Sequence, residues 1–260
     1  MNKRLKLLLT NDDGYDSPGI RRLYEALVPS HEVVVAAPAE EQSGIGHAFT
    51  FNRPLSYSEI PADRGLKGYA IKGTPSDCVK FAVSHLLPEM PECVISGMNI
   101  GENSGISGFY SGTVAAAREG AFWGLPSFAF SLCSNAADHI VEYCRRAVDI
   151  FDRIVASGPA RNGGKVFYNI NFPECAPDAC RGIRATRQSL AFFDDRYERI
   201  MLQDKRDGFV IYGEKKEVEQ TDAFDSRALM NDYITVTPLD FDATADWALP
   251  FLGTLEHPCG

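Results

Sequence analysis

The sequence predicts an α/β chain: an open, mostly parallel sheet with helices on both faces, followed by a C-terminal antiparallel β-hairpin extension. Two observations carry this expectation. From Leu5 to about Pro173, apolar runs of strand length alternate with segments that begin on helix-start signals. After about Cys180 the alternation stops, and four strand-like runs follow with no helix between them. One domain over residues 1–260 is expected, with 1–180 as its core and 181–260 as a hairpin arm and tail.

The elements follow in order. Leu5–Leu9 reads as a buried strand. Ser17-Pro18 offers an N-cap and a proline at the first helical position, opening a helix through about Leu27. "EVVVAAP", Glu32–Pro38, is β-branched and apolar and reads as a second parallel strand. Phe49–Phe51, Leu55–Ile60 and Lys67–Lys72 look like shorter strands in a hairpin excursion. In Thr74-Pro75-Ser76-Asp77, Thr74 caps, Pro75 leads the helix, and Asp77 stands where a carboxylate reaches back to orphan amides. That helix is expected to run to about Leu87. The strand "ECVISG" leads to a glycine-rich loop and the helix "TVAAAREGAFW". "PSFAFS" is the next strand, then come a helix from about Ala136 to Ser157 and the strand "KVFYNINFP". Beyond it, "GIRATRQ", "YERIMLQ", "GFVIYG" and "DYITVTP" suit antiparallel hairpins, and "ATADWALPFL" suits a terminal helix.

Composition narrows the function. A net charge of −9, from 35 acidic and 26 basic residues, argues against a surface that tracks a nucleic-acid polymer. It says nothing against a small phosphorylated substrate, which responds to local charge. No run reaches the roughly 18 apolar residues of a membrane helix, and Asn11-Asp12-Asp13 interrupts the N-terminal apolar run too early for a secretory signal. The seven cysteines form no CxxC pair and read as reduced thiols in a cytoplasmic protein, Cys175/Cys180 being only a weak metal signal.

Ligands of open α/β sheets bind beyond the carboxyl ends of the strands. The first strand delivers Asn11, Asp12, Asp13 and Gly14; the second delivers "APAEEQSGIGH", with Gln42, Ser43 and His47; the strand at 93–96 delivers "SGMNIGENSGISGFYSGT". Two adjacent carboxylates at a strand's end repel unless a cation lies between them. With a hydroxyl and an amide carbonyl they form an oxygen-only set, suited to magnesium, manganese or calcium. Ser111-Gly112-Thr113 opens a helix, and reads either as an anion site or as a plain N-cap. His47 reads as a proton donor, a phosphate contact or a loop histidine with a satisfied bond. Arg118-Glu119 reads as a surface or packing pair. No DxD follows the first strand, and GxSxG, Walker A and GxGxxG are absent. What remains is a metal-activated water attacking a phosphoester.

"TNDDGYDSPGI", "APAEEQSGIGHAFT", "GTPSDCV" and "SGMNIGENSGISGFYSGTVAAAREGAFWGLPS" resemble, in order, the signature blocks of the SurE (survival protein E) family of metal-dependent 5′/3′-nucleotidases. "NINFP" and "TVTPL" resemble its later blocks, so the likeness spans nearly the whole chain. The resemblance implies a Rossmann-like core, and Mg2+ or Mn2+ held by Asp12, Asp13, Ser43 and Asn99, with Asp12, Asp13 and Asn99 catalytic. It implies substrate and phosphate contacts from Asn11, Gly44, Asn103, Ser111, Gly112 and Thr113. The implied reaction is hydrolysis of nucleoside 5′- or 3′-monophosphates to nucleoside and phosphate. A non-catalytic nucleotide- or phosphate-sensing module and a hydrolase of short-chain polyphosphate are the alternatives. The expected partners are the nucleotide and further copies of this chain, as a homodimer or homotetramer through the C-terminal arm, with no nucleic-acid polymer and no membrane. Ala39-Glu40 stands where many members carry Asp-Arg, and Ile106–Phe109 lacks an acidic residue frequent there.

Overall fold

A computed structural model of the chain describes residues 3–158, 166–204 and 206–255. The expectations for Lys165 and for Cys259, the last of the seven cysteines, lie outside the described residues. Nine strands form the main sheet: β1 (Lys6–Thr10), β2 (Glu32–Pro38), β3 (Tyr57–Glu59), β4 (Gly68–Ile71), β5 (Cys93–Ile100), β6 (Ser127–Leu132), β7 (Val166–Phe172), β8 (Gly182–Ala185) and β11 (Tyr233–Asp240). Their order is β3-β4-β2-β1-β5-β6-β7-β11-β8. The run from β4 to β7 is parallel throughout. Strands β9 (Phe192–Met201) and β10 (Asp207–Lys216) pair antiparallel as a separate two-stranded hairpin.

The run "LLL" in β1 is apolar at every position because both faces of the sheet are covered. Leu7 and Leu9 join the core under α1 (Pro18–Leu27) and α5 (Ile140–Ser157), with Ile20, Leu23, Phe128, Tyr143 and Phe151. Leu8 points the other way, toward Cys78, Val79 and Ala116, from α2 (Pro75–Phe81) and α4 (Gly112–Phe122). Alternation along the strand turns one sequence run into two packed layers. Helix α4 lies close to the sheet because its inner face is small. A Cβ added at Gly120 would stand 2.4 Å from Ser127 Oγ and 2.8 Å from Val94 Cβ.

The elements expected from sequence are largely present, with local differences. Thr74 and Asp77 form the reciprocal capping box at α2. Ser17 precedes α1 but makes no side-chain cap, because its hydroxyl accepts from Asn11 Nδ2 at 2.9 Å instead. Phe49–Phe51 is not a strand. The helix after Thr74 leaves α geometry at Phe81 and continues as a π-helical turn over Ala82–Leu86. A 3₁₀ segment, Ser134–His139, precedes α5, and another, Asp246–Leu255, stands where a terminal helix was expected. Two short helices were not foreseen, α3 (Ser107–Tyr110) and α6 (Asp225–Met230). β8 and β11 also differ from the expected hairpins. β11 runs antiparallel along β7 and parallel to β8, so both extend the main sheet. Only β9 and β10 form a hairpin of their own.

Candidate metal and phosphate centre

At the carboxyl end of β1 the chain leaves the sheet through Asn11, Asp12 and Asp13. Asn11 is fully buried and donates from Nδ2 to Gly14 O at 2.8 Å, folding the turn tightly behind the acids. Among the described residues its Oδ1 has no partner despite burial. Asp12 is buried against the start of α4. The amides of Gly112 and Thr113 bond its carboxylate, and the Thr113 hydroxyl donates to its Oδ1. The approach is close enough that only glycine fits at 112: an added Cβ would lie 2.8 Å from Asp12 Cβ. Burial nevertheless raises the Asp12 carboxyl above its ordinary pKa, against the opposing pull of these hydrogen bonds. Asp13 is pushed up to about 6, by burial first and then by the negative charges of Asp12 and Glu41.

The second strand end closes over the first. Tyr15 N donates to Pro38 O at 2.9 Å, and Gln42 N donates to Asp12 O at 2.8 Å. Ser43 is therefore held beside the two acids; it is exposed, and its hydroxyl donates to Glu41 Oε1 at 2.7 Å. Gly44 follows with φ +68° in open space. Asn99 is the last residue but one of β5, the strand next to β1, and its Nδ2 donates to Gly101 O at 2.5 Å. That bond turns the amide so that its oxygen, the atom a cation needs, points the other way.

The remaining predicted residues are placed differently. Ser111 Oγ accepts from Val114 N at 3.1 Å, so Ser111 is the N-cap of α4. Asn103 lies further along, under the ends of β6 and β7. Its Nδ2 donates to Ser131 Oγ at 2.8 Å, its amide to Asn171 Oδ1 at 2.7 Å, and its carbonyl accepts from Asn169 Nδ2 at 2.8 Å. His47 stands away from the acids. Its Nε2 contacts Glu119 at 3.0 Å, where Lys80 Nζ at 3.1 Å and Trp123 Nε1 at 3.0 Å also converge, and its ring stacks on Phe122. Burial alone would raise the Glu119 carboxyl, but the bonds from His47 and Lys80 outweigh it and hold the pKa below the ordinary value. Glu119 is seven residues into α4 from Gly112, or about 10 Å along the axis. The loop-histidine reading of His47 is the one the geometry favours, and of the two readings of Arg118-Glu119 the packing one fits, since Glu119 is buried and Arg118 stacks over Phe167.

The donor set fits a hard divalent cation. Asp12 and Asp13 are desolvated neighbours with no lysine, arginine or histidine among the causes acting on either. The partnerless Asn11 oxygen lies in the same turn. Among the described residues no group of three or more His, Cys, Asp or Glu side chains forms a metal site, so a nitrogen- and sulfur-rich centre has no candidate there. Glu41 is the acidic residue of this site that sequence reading did not single out; its only signal was its place in "AEEQSG" beside Ser43. No helix among the described residues is long and apolar enough to cross a membrane.

Comparison with known proteins places this geometry. Residues 7–195 match the family model described as Survival protein SurE. The chain is 41% identical over 246 residues to a protein of Syntrophobacter fumaroxidans named 5′-nucleotidase SurE, covering 92% of this chain and 95% of that one. It is 38% identical over 257 residues to a protein of the same name from Nitratidesulfovibrio vulgaris, covering 97% and 100%. The crystal structure of the SurE protein from Aquifex aeolicus superposes with a TM-score of 0.82 at 35% identity, over 96% of this chain and 99% of that one. With acids, glycine-rich loop and sheet order all in place, the chain belongs to the SurE family.

Proposed function

We infer that this chain is a nucleotidase that hydrolyses nucleoside monophosphates to nucleoside and phosphate, with Mg2+ or Mn2+ held by Asp12, Asp13, Ser43 Oγ and Asn99 Oδ1. One observation carries the reading within the family: two desolvated carboxylates stand side by side with no lysine, arginine or histidine among the groups acting on them, and the first of them, Asp12, is bonded to the start of α4. A hard divalent cation bound there would offset the charge of the phosphoryl oxygens and acidify water for attack.

The rest falls to the chain. The Gly112 and Thr113 amides and the Thr113 hydroxyl hold the Asp12 carboxylate in one orientation, and they place the positive end of α4 beside the reacting phosphate. The positive φ at Gly44 lets the second-strand loop present backbone to the substrate without a side chain in the way. Asn103 and its asparagine neighbours brace the far rim of the site. Ile45 and Tyr110 are exposed, two residues from Ser43 and Gly112 respectively, and Gly46 N donates to Tyr110 O at 2.9 Å. They offer the nucleoside an apolar surface within about 8 Å, two residues of chain, of Ser43 and Gly112. The hairpin arm supports assembly into a homodimer or homotetramer, since its aromatic residues are exposed and find no cover among the described residues. The scattered cysteines support a cytoplasmic setting.

The test is a panel of nucleoside 5′- and 3′-monophosphates, ribose 5-phosphate and short polyphosphate at matched concentration. Phosphate release should be fastest from a nucleotide, stop with EDTA and return with Mn2+. No release from any nucleotide in the presence of Mn2+ overturns the reading.

A further inference from the structure

The loop that joins Asn99 to α3, Gly101–Ile106, is gripped by the two roots of the β9–β10 hairpin. From the first root, Gln188 Nε2 donates to Gly105 O at 2.8 Å and Ile106 N donates to Ala191 O at 2.9 Å. Gly105 has φ +60°, and a Cβ there would stand 2.6 Å from Ala191 O, so the loop is pressed directly onto that root. From the second root, the end of β10, Lys215 Nζ pairs with Glu102 Oε1 and donates to Ser104 Oγ at 2.7 Å. The other Glu102 oxygen accepts from Ser104 N at 2.8 Å and Ser104 Oγ at 2.5 Å. Asp225 stitches both parts, accepting from Gly105 N at 3.2 Å and Ser189 N at 2.8 Å.

The connection runs on into the site. Glu102 is bonded through the backbone to Gly101, whose carbonyl accepts the Asn99 amide and so fixes which way the Asn99 oxygen faces. An ion pair with both side chains 19% exposed is screened less than a surface pair, and losing one partner leaves the other's charge poorly solvated. We propose that Lys215 is a positioning residue: from the root of the hairpin it orients, through Glu102 and Gly101, the Asn99 oxygen toward the cation. This rests on the proposed function for the identity of the centre, and concerns residues of the chain that lie outside it. Its consequence is that the hairpin acts on the site as well as on assembly, so whatever displaces the root of the arm alters cation affinity.

The experiment is Mn2+ binding by titration calorimetry on the full-length protein, which reads the coupling whether or not a nucleotide is turned over. Lys215→Met should weaken Mn2+ about five- to tenfold with the native mass unchanged, and Lys215→Arg should recover most of the loss. Asn99→Ala should weaken Mn2+ by itself, and adding Lys215→Met to it should cost little more, since both act on one oxygen. Glu102→Gln should reproduce the Lys215→Met loss, and stands in for it if that variant does not fold. Unchanged Mn2+ affinity in folded Lys215→Met or Glu102→Gln, or full additivity with Asn99→Ala, overturns the proposal. Mn2+ binding that depends on Lys215 in a protein that releases no phosphate would support this inference while refuting the proposed function.

Discussion

The centre of the main sheet and the β9–β10 hairpin are both built from strands rich in apolar residues, yet they handle those residues in opposite ways. In β1 and β6 nearly every side chain is buried, because helices cover both faces. In the hairpin, Tyr197, Met201, Phe209 and Ile211 are exposed on one face and Ile200, Val210 and Tyr212 on the other. A two-stranded ribbon with apolar residues on both faces has no stable place in water by itself. Among the described residues the apolar side chains of the central strands are covered and those of the arm are not. The arm meets the loop behind Asn99 at its roots.

That contrast can be broken from either side. The largest effect is expected at the central sheet: Asp12→Asn removes one charge of the cation cage and should lower turnover at least about a hundredfold while native mass stays the same. Phosphate-release kinetics with light scattering check both halves, and near-normal turnover would remove Asp12 from the centre. On the arm, Phe209→Asp with Tyr197→Asp should shift the native mass to that of one chain, measured by light scattering, and leave the far-ultraviolet circular dichroism of the sheet intact. A mass that does not move would mean that the arm's exposed face serves something other than assembly.

Smaller effects sharpen the picture of the central sheet. In the absence of metal, Asp13 with its pKa near 6 binds a proton in the fold that it has already lost in the unfolded chain at about pH 4 to 6. Its raised pKa therefore takes stability away as pH rises through that window, and the loss is complete above it. Asp13→Asn should flatten this part of the pH profile and raise the Tm of the metal-free protein at pH 7 by a few degrees, roughly what about 1 kcal/mol does in a chain of this size. A fall in Tm would show that Asp13 is better stabilised than its burial implies. The smallest effect is expected at His47: since its partner is Glu119 and not the acids, His47→Gln should change turnover by less than about threefold. A larger loss, with the alkaline limb missing from the pH–rate profile, would restore the proton-donor reading.

Much of this was legible without coordinates. The bounds of β2, the capping box at Thr74 and the helix beginning at Pro18 follow from local chemistry: β-branched runs, a proline without an amide donor, a carboxylate one turn from its cap. Local signals fail where the partner is distant. Nothing in "GIRA" or "YITVTPLD" distinguishes a hairpin strand from one that joins the far edge of the main sheet, because either placement satisfies the same backbone groups. Ser17 looked like an ordinary cap until Asn11, six residues earlier, was seen to claim its hydroxyl. Lys215 gave no sign at all, since the glutamate it pairs with lies 113 positions away.

By itself the sequence determined the alternation that builds the sheet, the two acids at the end of its first strand and the small residues that open α4. Tertiary structure alone decided that Asp12 would meet the start of α4, that Glu41 would add its charge beside Asp13, and that the roots of the arm would close on the loop behind Asn99. The reason is physical: periodicity and capping act over a few residues, whereas burial, charge and close contact are set by whichever segments the packed sheet brings together.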